Sequence, residues 1–411
     1  MKTKVYLTPS PPVEPFNDAA ADIQIGNRSL SEWQSSCFDA LGLERVSTHQ
    51  KPCLILPENC FISSGALRQF LAGAKGQNAV LVLSESRFAK SSTPVQRDVV
   101  RTDEGWRFNG IQFLSGDDQP LADVLIDPQE LKIDLPMNNP YLEDEQVEIG
   151  LARNPVIQLD HWIHVLWANQ IAGGMIALST PKWLWIVRLI WSVLRRFSLN
   201  KWKILSGLNQ IGKGCDIHPT AVIEGSTIGR NVTIGPYARV LMSHLADDAV
   251  VMAGAQVEFC TLGRQSMVSE HSVLRFSVLY PKAVASQYLM QQCVLGRGTV
   301  TTGGAFTMDL NFDREVRVPL DGALHDTGQH FVGCAFGHGA RIGTGFWLAS
   351  GRAIPNDYFL IRDPSQTLSS IPLELPTHVP LSVQGRTLCP IQSQPRGVSS
   401  GKPRIDAPTV P

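Results

Sequence analysis

The sequence predicts two dissimilar halves. A small α/β domain occupies residues 1–155 and a parallel β-helix occupies 209–362; a basic, Trp-rich helical connector (156–208) joins them and a Pro-rich tail (363–411) follows. Three observations carry this reading. Aliphatic residues return at Ile211, Ile217, Ile223, Ile228, Ile234, Val240, Leu245, Val251, Val257, Leu262, Val268, Leu274 and Leu279, in steps of six, six and five that repeat with a 17-residue period. The residue four places after each of the first twelve of these markers is small in eleven cases, His244 being the exception. Six of the nine tryptophans fall in the connector, and 161–215 carries seven bases and no acid.

A helix cannot produce a count of six, six, five. A three-sided prism can: each unit supplies one short strand with its marker pointing inward, small residues take the corners, and three units close a coil that stacks on the next through parallel hydrogen bonds. No coil buries its own apolar face, so the array is stable only as a stack. After Leu279 the count lapses over 280–293, returns at Val294, Val300 and Phe306, lapses again over 307–330, and resumes through Phe331, Phe336, Ile342, Leu348, Ile354 and Leu360. Both lapses are expected to be loops leaving the prism, where function concentrates on a rigid scaffold.

In the first half, the apolar runs Cys53–Leu56, Ala79–Leu83 and Asp123–Ile126 are bounded by turn residues and predict buried strands. Leu30, Trp33, Cys37, Leu41 and Leu43 predict one face of a helix that starts after a Ser cap. Lys plus Arg 36 against Asp plus Glu 37 leaves the chain nearly neutral, which argues against a nucleic-acid partner. Eight cysteines without C-x-x-C pairs, and an N-terminus lacking an apolar run, predict a reducing cytoplasm. From 182 to 205 a helix would set Arg188, Ser192, Arg195, Arg196 and Lys203 opposite Trp183, Ile186, Val187, Ile190, Leu194 and Phe197, a pattern that suits a membrane surface. The alternative is that the connector clamps the start of the β-helix and docks on the acidic stretch 101–160. The tail, with nine prolines, predicts an extended or disordered strap.

The repeat resembles the hexapeptide-repeat proteins, which form left-handed parallel β-helices and are mostly trimeric acyltransferases. With an α/β domain in front, the chain resembles the bifunctional uridyltransferase/acetyltransferase family that makes UDP-N-acetylglucosamine, and its archaeal sugar-1-phosphate relatives. The segment 26–46 is similar to the helix that follows the nucleotide loop in that family. The loop itself departs from the family: LTPSPPVEPFNDAAADIQIG has no glycine before Gly26 and no base between Lys4 and Arg28, so it cannot cradle a triphosphate, and the nucleotidyltransferase half is expected to be inactive.

Within the coils, IGPYARV at 234–240 resembles the family's G-P-F-A-R coil, and GGAFTMDLNFDR resembles G-A-G-T-I-T-x-N-Y-D-G. The resemblance implies that Gly304, Asn311 and Phe312 help to hold acetyl-CoA or another acyl-CoA, that the acceptor is a sugar phosphate or sugar nucleotide, and that the assembly is a homotrimer. The acceptor motif departs: Met267, Glu270 and Val273 stand where the family has Lys, His and Tyr. Glu270 is a candidate base if desolvated. His325, beside Asp326, and His330 are the other candidate bases. His330, Cys334 and His338 have a spacing that would converge on a helix, but this is coil sequence, so no metal site is assigned. Two functions stay open: an acyl-CoA-dependent acyltransferase, and a catalytically silent trimeric scaffold or regulator.

Overall fold

The computed structural model describes residues 3–116, 119–131, 150–179, 206–286, 288–368, 370–371, 374–376, 378–384 and 386–391, with Val187 and Ile190. The chain forms two compact units, Met1–Leu360 and Ile361–Pro411.

The first unit begins with a seven-stranded mixed sheet. Its strands are β1 (Lys4–Thr8), β2 (Glu44–Val46), β3 (Cys53–Pro57), β5 (Ala79–Ser84), β6 (Val99–Arg101), β7 (Gly105–Leu114) and β8 (Ala122–Ile126); β4 (Cys60–Ile62) pairs separately with β9 (Val156–Gln158). The sheet order is β8-β5-β7-β3-β1-β2, with β6 on β7 and β7 antiparallel to both its sheet neighbours β3 and β5. The apolar runs thus became strands: β5 is buried from Ala79 to Leu83 and β3 at every residue but Ile55, whereas β8 is buried only at Val124 and Ile126, with Leu125 exposed. Helix α1 (Leu30–Leu41) starts as its cap predicts: Ser29 accepts from the Glu32 amide while Glu32 reaches back to the Ser29 amide, and Gly42 closes the helix at φ 64°. Helices α2 (Ser64–Ala74) and α3 (Arg87–Ser92) likewise begin at serine caps, Ser63 and Ser86.

Helix α4 (Trp162–Ser179) is a core element. Trp162, Ile163, Val165, Leu166 and Ala168 are fully buried, because this stretch carries no charge and is apolar around its whole circumference. It packs against the β-helix through His244, whose Nε2 donates to the Gly173 carbonyl at 3.3 Å, and through Gln170, which donates to Gln292 Oε1 at 2.8 Å. These contacts of α4 are uncharged and meet the middle coils; the basic part of the connector, and most of the acidic stretch it would dock on beyond Leu131, lie outside the described residues. Among the described residues no helix is long and apolar enough to cross a membrane. The basic face at 182–205 lies outside the described residues except Val187 and Ile190, both helical and both half exposed.

From Gln210 to Leu360 the chain is a left-handed parallel β-helix. Two faces carry eight parallel strands each and the third carries five, followed by a separate pair, Phe306–Thr307 with Trp347–Leu348. Markers stack on markers: Ile228 on Leu245, Leu245 on Leu262, Leu262 on Leu279.

Among the described residues the first expected loop is absent. Residues 280–293 continue the prism through strands Val284–Ala285 and Leu289–Gln291, with Ala285 and Met290 inside. That coil is one residue short, so the inward series resumes at Leu295 and Thr301, while Val294 faces outward into the core shared with the N-terminal domain. Ala and Met fill the marker positions, and an aliphatic count passes over them.

His244 breaks the small-residue rule for a geometric reason. In a five-residue unit the residue four places on faces outward, and the interior corner falls three places after the marker. That column reads Ser226, Ser243, Cys260, Ser277, Cys293 and Cys334, and it forms a ladder. The Cys260 amide donates to Ser243 Oγ at 3.0 Å, the Cys293 amide to Ser277 Oγ at 3.1 Å, and the Cys334 amide to Cys293 Sγ at 3.3 Å. Burial pushes the Cys260 and Cys293 thiols up to about 12, so these cysteines are structural and unreactive. Ser243→Ala is expected to cost about 1–3 kcal/mol, since it orphans the Cys260 amide. Ser243→Cys should cost much less, which denaturant unfolding of the two variants would check.

In the second unit, Leu381–Gln384 pairs antiparallel with Thr387–Pro390, and Pro364–Gln366 forms a 3-10 turn. The tail is thus not uniformly extended: Gln384-Gly385-Arg386-Thr387 is a turn signal between β-prone runs, and proline content masked it.

Candidate functional site

The second lapse is a loop, as expected. It leaves the prism at Met308 and returns at Cys334, and its root is a narrow antiparallel neck. Leu310 bridges Phe331, the Asn311 amide donates to the His330 carbonyl at 3.0 Å, and the Val332 amide donates to the Asp309 carbonyl at 2.8 Å. Alternation along this neck puts Asp309, Asn311, His330 and Val332 on one side.

The polar members of that side are held individually. His330 Nδ1 lies 3.2 Å from the Asn311 carbonyl oxygen. A carbonyl can only accept, so Nδ1 carries the proton and the lone pair sits on Nε2. Asn311 Oδ1 accepts from Ser350 Oγ at 3.0 Å. Asp309 Oδ2 accepts from Gln291 Nε2 at 2.8 Å, and burial raises its carboxyl above the usual range, against the effect of that bond. Alongside the neck the third face exposes a run of aromatic rings: Tyr288 stacks near Phe306 at 6.5 Å between centroids, and Phe306 near Trp347 at 5.6 Å. Phe312 is exposed on the loop.

Of the six residues singled out from the sequence, the structure brings Asn311 and His330 together, with Phe312 adjacent in the chain. Gly304 lies at the other end of strand Phe306–Thr307, at a corner with φ 82° where an added Cβ would stand 3.0 Å from Thr344 Cγ2. Glu270 is a correction: it is exposed in the corner turn between the second and third faces, without the desolvation its reading as a base requires. His325 is a second correction. It stands exposed on the hairpin of β10 (Arg317–Leu320) and β11 (Ala323–Asp326), and the neighbouring Asp326 carboxylate is taken by Arg317 Nε at 2.9 Å. His330, Cys334 and His338 have separate partners, Asn311, the Ala349 carbonyl and Asp18, and do not converge.

Sequence reasoning missed Gln291, Asp309 and Ser350. Asp309 was legible in principle, two residues before Asn311 and so on the same side of an extended chain. Gln291 and Ser350 come from neighbouring coils and depend on the corrected register.

A second buried polar cluster lies in the N-terminal domain, around Leu159-Asp160-His161-Trp162-Ile163-His164. Asp160 Oδ1 accepts from Asn59 Nδ2 at 2.9 Å, and Oδ2 accepts from the Arg97 amide at 2.9 Å. His164 Nδ1 accepts from the His161 amide at 3.0 Å while Nε2 donates to the Pro94 carbonyl at 2.8 Å, which fixes a neutral tautomer. Burial, then the neighbouring His164, pushes His161 down to about 3.

The loop after β1, where a nucleotide loop would sit, is given over to docking. Phe16 stacks on Tyr280 at 5.4 Å, Asn356 Nδ2 donates to the Phe16 carbonyl at 2.8 Å, and Asp18 Oδ1 lies 3.0 Å from His338 Nε2. No protein-family model matches the chain, and no curated protein matches it in sequence.

Proposed function

We propose that the protein is an acyl-CoA-dependent acyltransferase of the hexapeptide-repeat type, acting on a sugar-type acceptor, with the neck of the 307–330 loop as its site. One observation carries the reading: the Asn311 carbonyl holds His330 Nδ1–H, which leaves Nε2 as a base on a rigid support. In the proposed reaction Nε2 takes the proton of an acceptor hydroxyl or amine as that group attacks the thioester carbonyl. The C–S bond then breaks, and the proton passes to the departing thiolate. Asn311, Phe312 and the exposed rings of the third face would seat the acyl donor.

Calorimetry with acetyl-CoA and CoA tests this. Binding by the wild type is expected, weakened in Phe312→Ala and retained in His330→Gln, with turnover in His330→Gln lower by about 10²–10⁴-fold. No heat at millimolar ligand would sink the proposal. The second reading, a catalytically silent trimeric scaffold, draws support from the docking role of the loop after β1 and of the β10–β11 hairpin; it predicts that silence.

A further inference from the structure

The 307–330 loop has two ends with different tasks. Its root carries Asp309, Asn311 and His330. Its tip lies on the N-terminal domain, more than 150 residues away in sequence. Arg97 grips Asp321 in a two-pronged pair, Nε to Oδ2 at 2.9 Å and Nη2 to Oδ1 at 2.7 Å. Gln329 Nε2 donates to the Ser91 carbonyl at 3.1 Å, directly beside His330. Val316, Val318 and Val332 are fully buried in the core shared with that domain, and the Pro319 backbone is hydrogen-bonded to His161. Arg97 is itself fixed, since its amide donates to buried Asp160. A rigid domain thus holds both the tip of the loop and the residue next to His330.

We propose that Arg97 and Asp321 are positioning residues for His330, the β10–β11 hairpin acting as a latch through which the N-terminal domain sets the geometry of the neck. The proposal rests on the neck being the functional site. It assigns the N-terminal domain a role that needs no nucleotide chemistry of its own: a domain without a phosphate cradle still orients the base. Glu14, Asp160 and His325 are the other charged or titratable groups acting on this pair. The pair is partly exposed, with side chains 29% and 62% accessible, so its loss should loosen the hairpin without unfolding the core.

Hydrogen exchange on the full chain reads the latch directly. The reporters are the Asn311 and Val332 amides, which close the neck, with the Val250 and Met267 amides of the middle coils as internal controls. Arg97→Ala and Asp321→Asn are each expected to speed exchange at the neck by about three- to tenfold while the controls stay unchanged. Arg97→Lys, which keeps a positive charge toward Asp321 without setting a carboxylate beside Asp160, should leave the neck closer to the wild-type rate than Arg97→Ala does. In parallel, nitrogen-detected NMR of His330 should move from the Nδ1–H tautomer toward a mixture in Arg97→Ala and Asp321→Asn, a change that a merely structural pair would not produce. Neck rates within about threefold of wild type, or an equal rise in the middle coils, would overturn the proposal. The outcome is separable from the acyl-transfer reading, because absent acetyl-CoA binding would leave the exchange result intact.

Discussion

Leu262→Ala is expected to lower stability by about 2–5 kcal/mol, whereas Ile211→Ala, at the same position of the repeat, should cost less than about 1 kcal/mol. Leu262 is fully buried in the fourth coil, stacked between Leu245 and Leu279. Removing its side chain opens a void that backbone cannot close, because each coil is hydrogen-bonded to the coils on either side. Ile211 sits in the first coil and is 52% exposed, with no coil beneath it among the described residues. A linear stack adds its stability coil by coil, so a central defect weakens contacts in both directions and a terminal one in a single direction. Denaturant midpoints of the two variants give the comparison. Equal losses at the two positions would mean that the marker count, rather than burial, sets the energetics, and would contradict this account.

The regular part of the prism was legible because its inward residues are all β-branched or Leu, so one aliphatic count recovers face, register and coil. Legibility failed where chemistry and side-chain size diverge. Ala285, Met290 and Thr301 fill inward positions that an aliphatic count skips, and the missed coil shifted the expected register at Val294, Val300 and Phe306 by one residue. In a strand, one residue is the difference between core and surface. His244 looked like an error in the repeat and is instead a contact residue for α4, since the five-residue unit turns that position outward. The neck was half legible. Asn311 and His330 came from motif and residue type, but their pairing across 19 residues depends on a hairpin whose tip is held by Arg97, and no local pattern in Pro319–Asp326 announces a partner that far away. The buried Asp160-His161-Trp162-Ile163-His164 run falls in the stretch 156–208 that the sequence assigns to a connector, because its tryptophans continue into the basic segment 182–205. What separates the two readings is the absence of charge from 161 to 179, which suits a helix buried on every side.

That buried run makes the N-terminal domain sensitive to acid in a window set by histidine. His161 is held down to about 3 from an ordinary 6.5, first by burial and then by His164, with Arg97 and His325 adding to the effect and the hydrogen bond with the Pro319 backbone opposing it. His164 is lowered as well, chiefly by burial. A base whose pKa is lower in the folded state binds fewer protons there than in the unfolded chain. Its contribution is whole above 6.5 and is lost as pH falls from 6.5 toward 3, at up to about 1.4 kcal/mol per pH unit for each such group. The lowered carboxylates Asp247, Asp321 and Asp363 act below their ordinary 3.8, and Asp309, raised by burial, acts with the opposite sign just above it. Between pH 6 and 5 the slope therefore reports chiefly on buried histidine. Wild-type stability should fall by at least about 1.2 kcal/mol over that unit, the part owed to His161 alone, with His164 and His244, both also lowered by burial, adding to it. His161→Gln, which keeps a polar group of similar reach without a titrating nitrogen, should remove about 1.2 kcal/mol of the fall even if it costs stability at pH 7.5. The measurement is urea unfolding at half-unit steps from pH 7.5 to 4.5. An unchanged slope in His161→Gln would show that His161 is not the group that couples protons to folding.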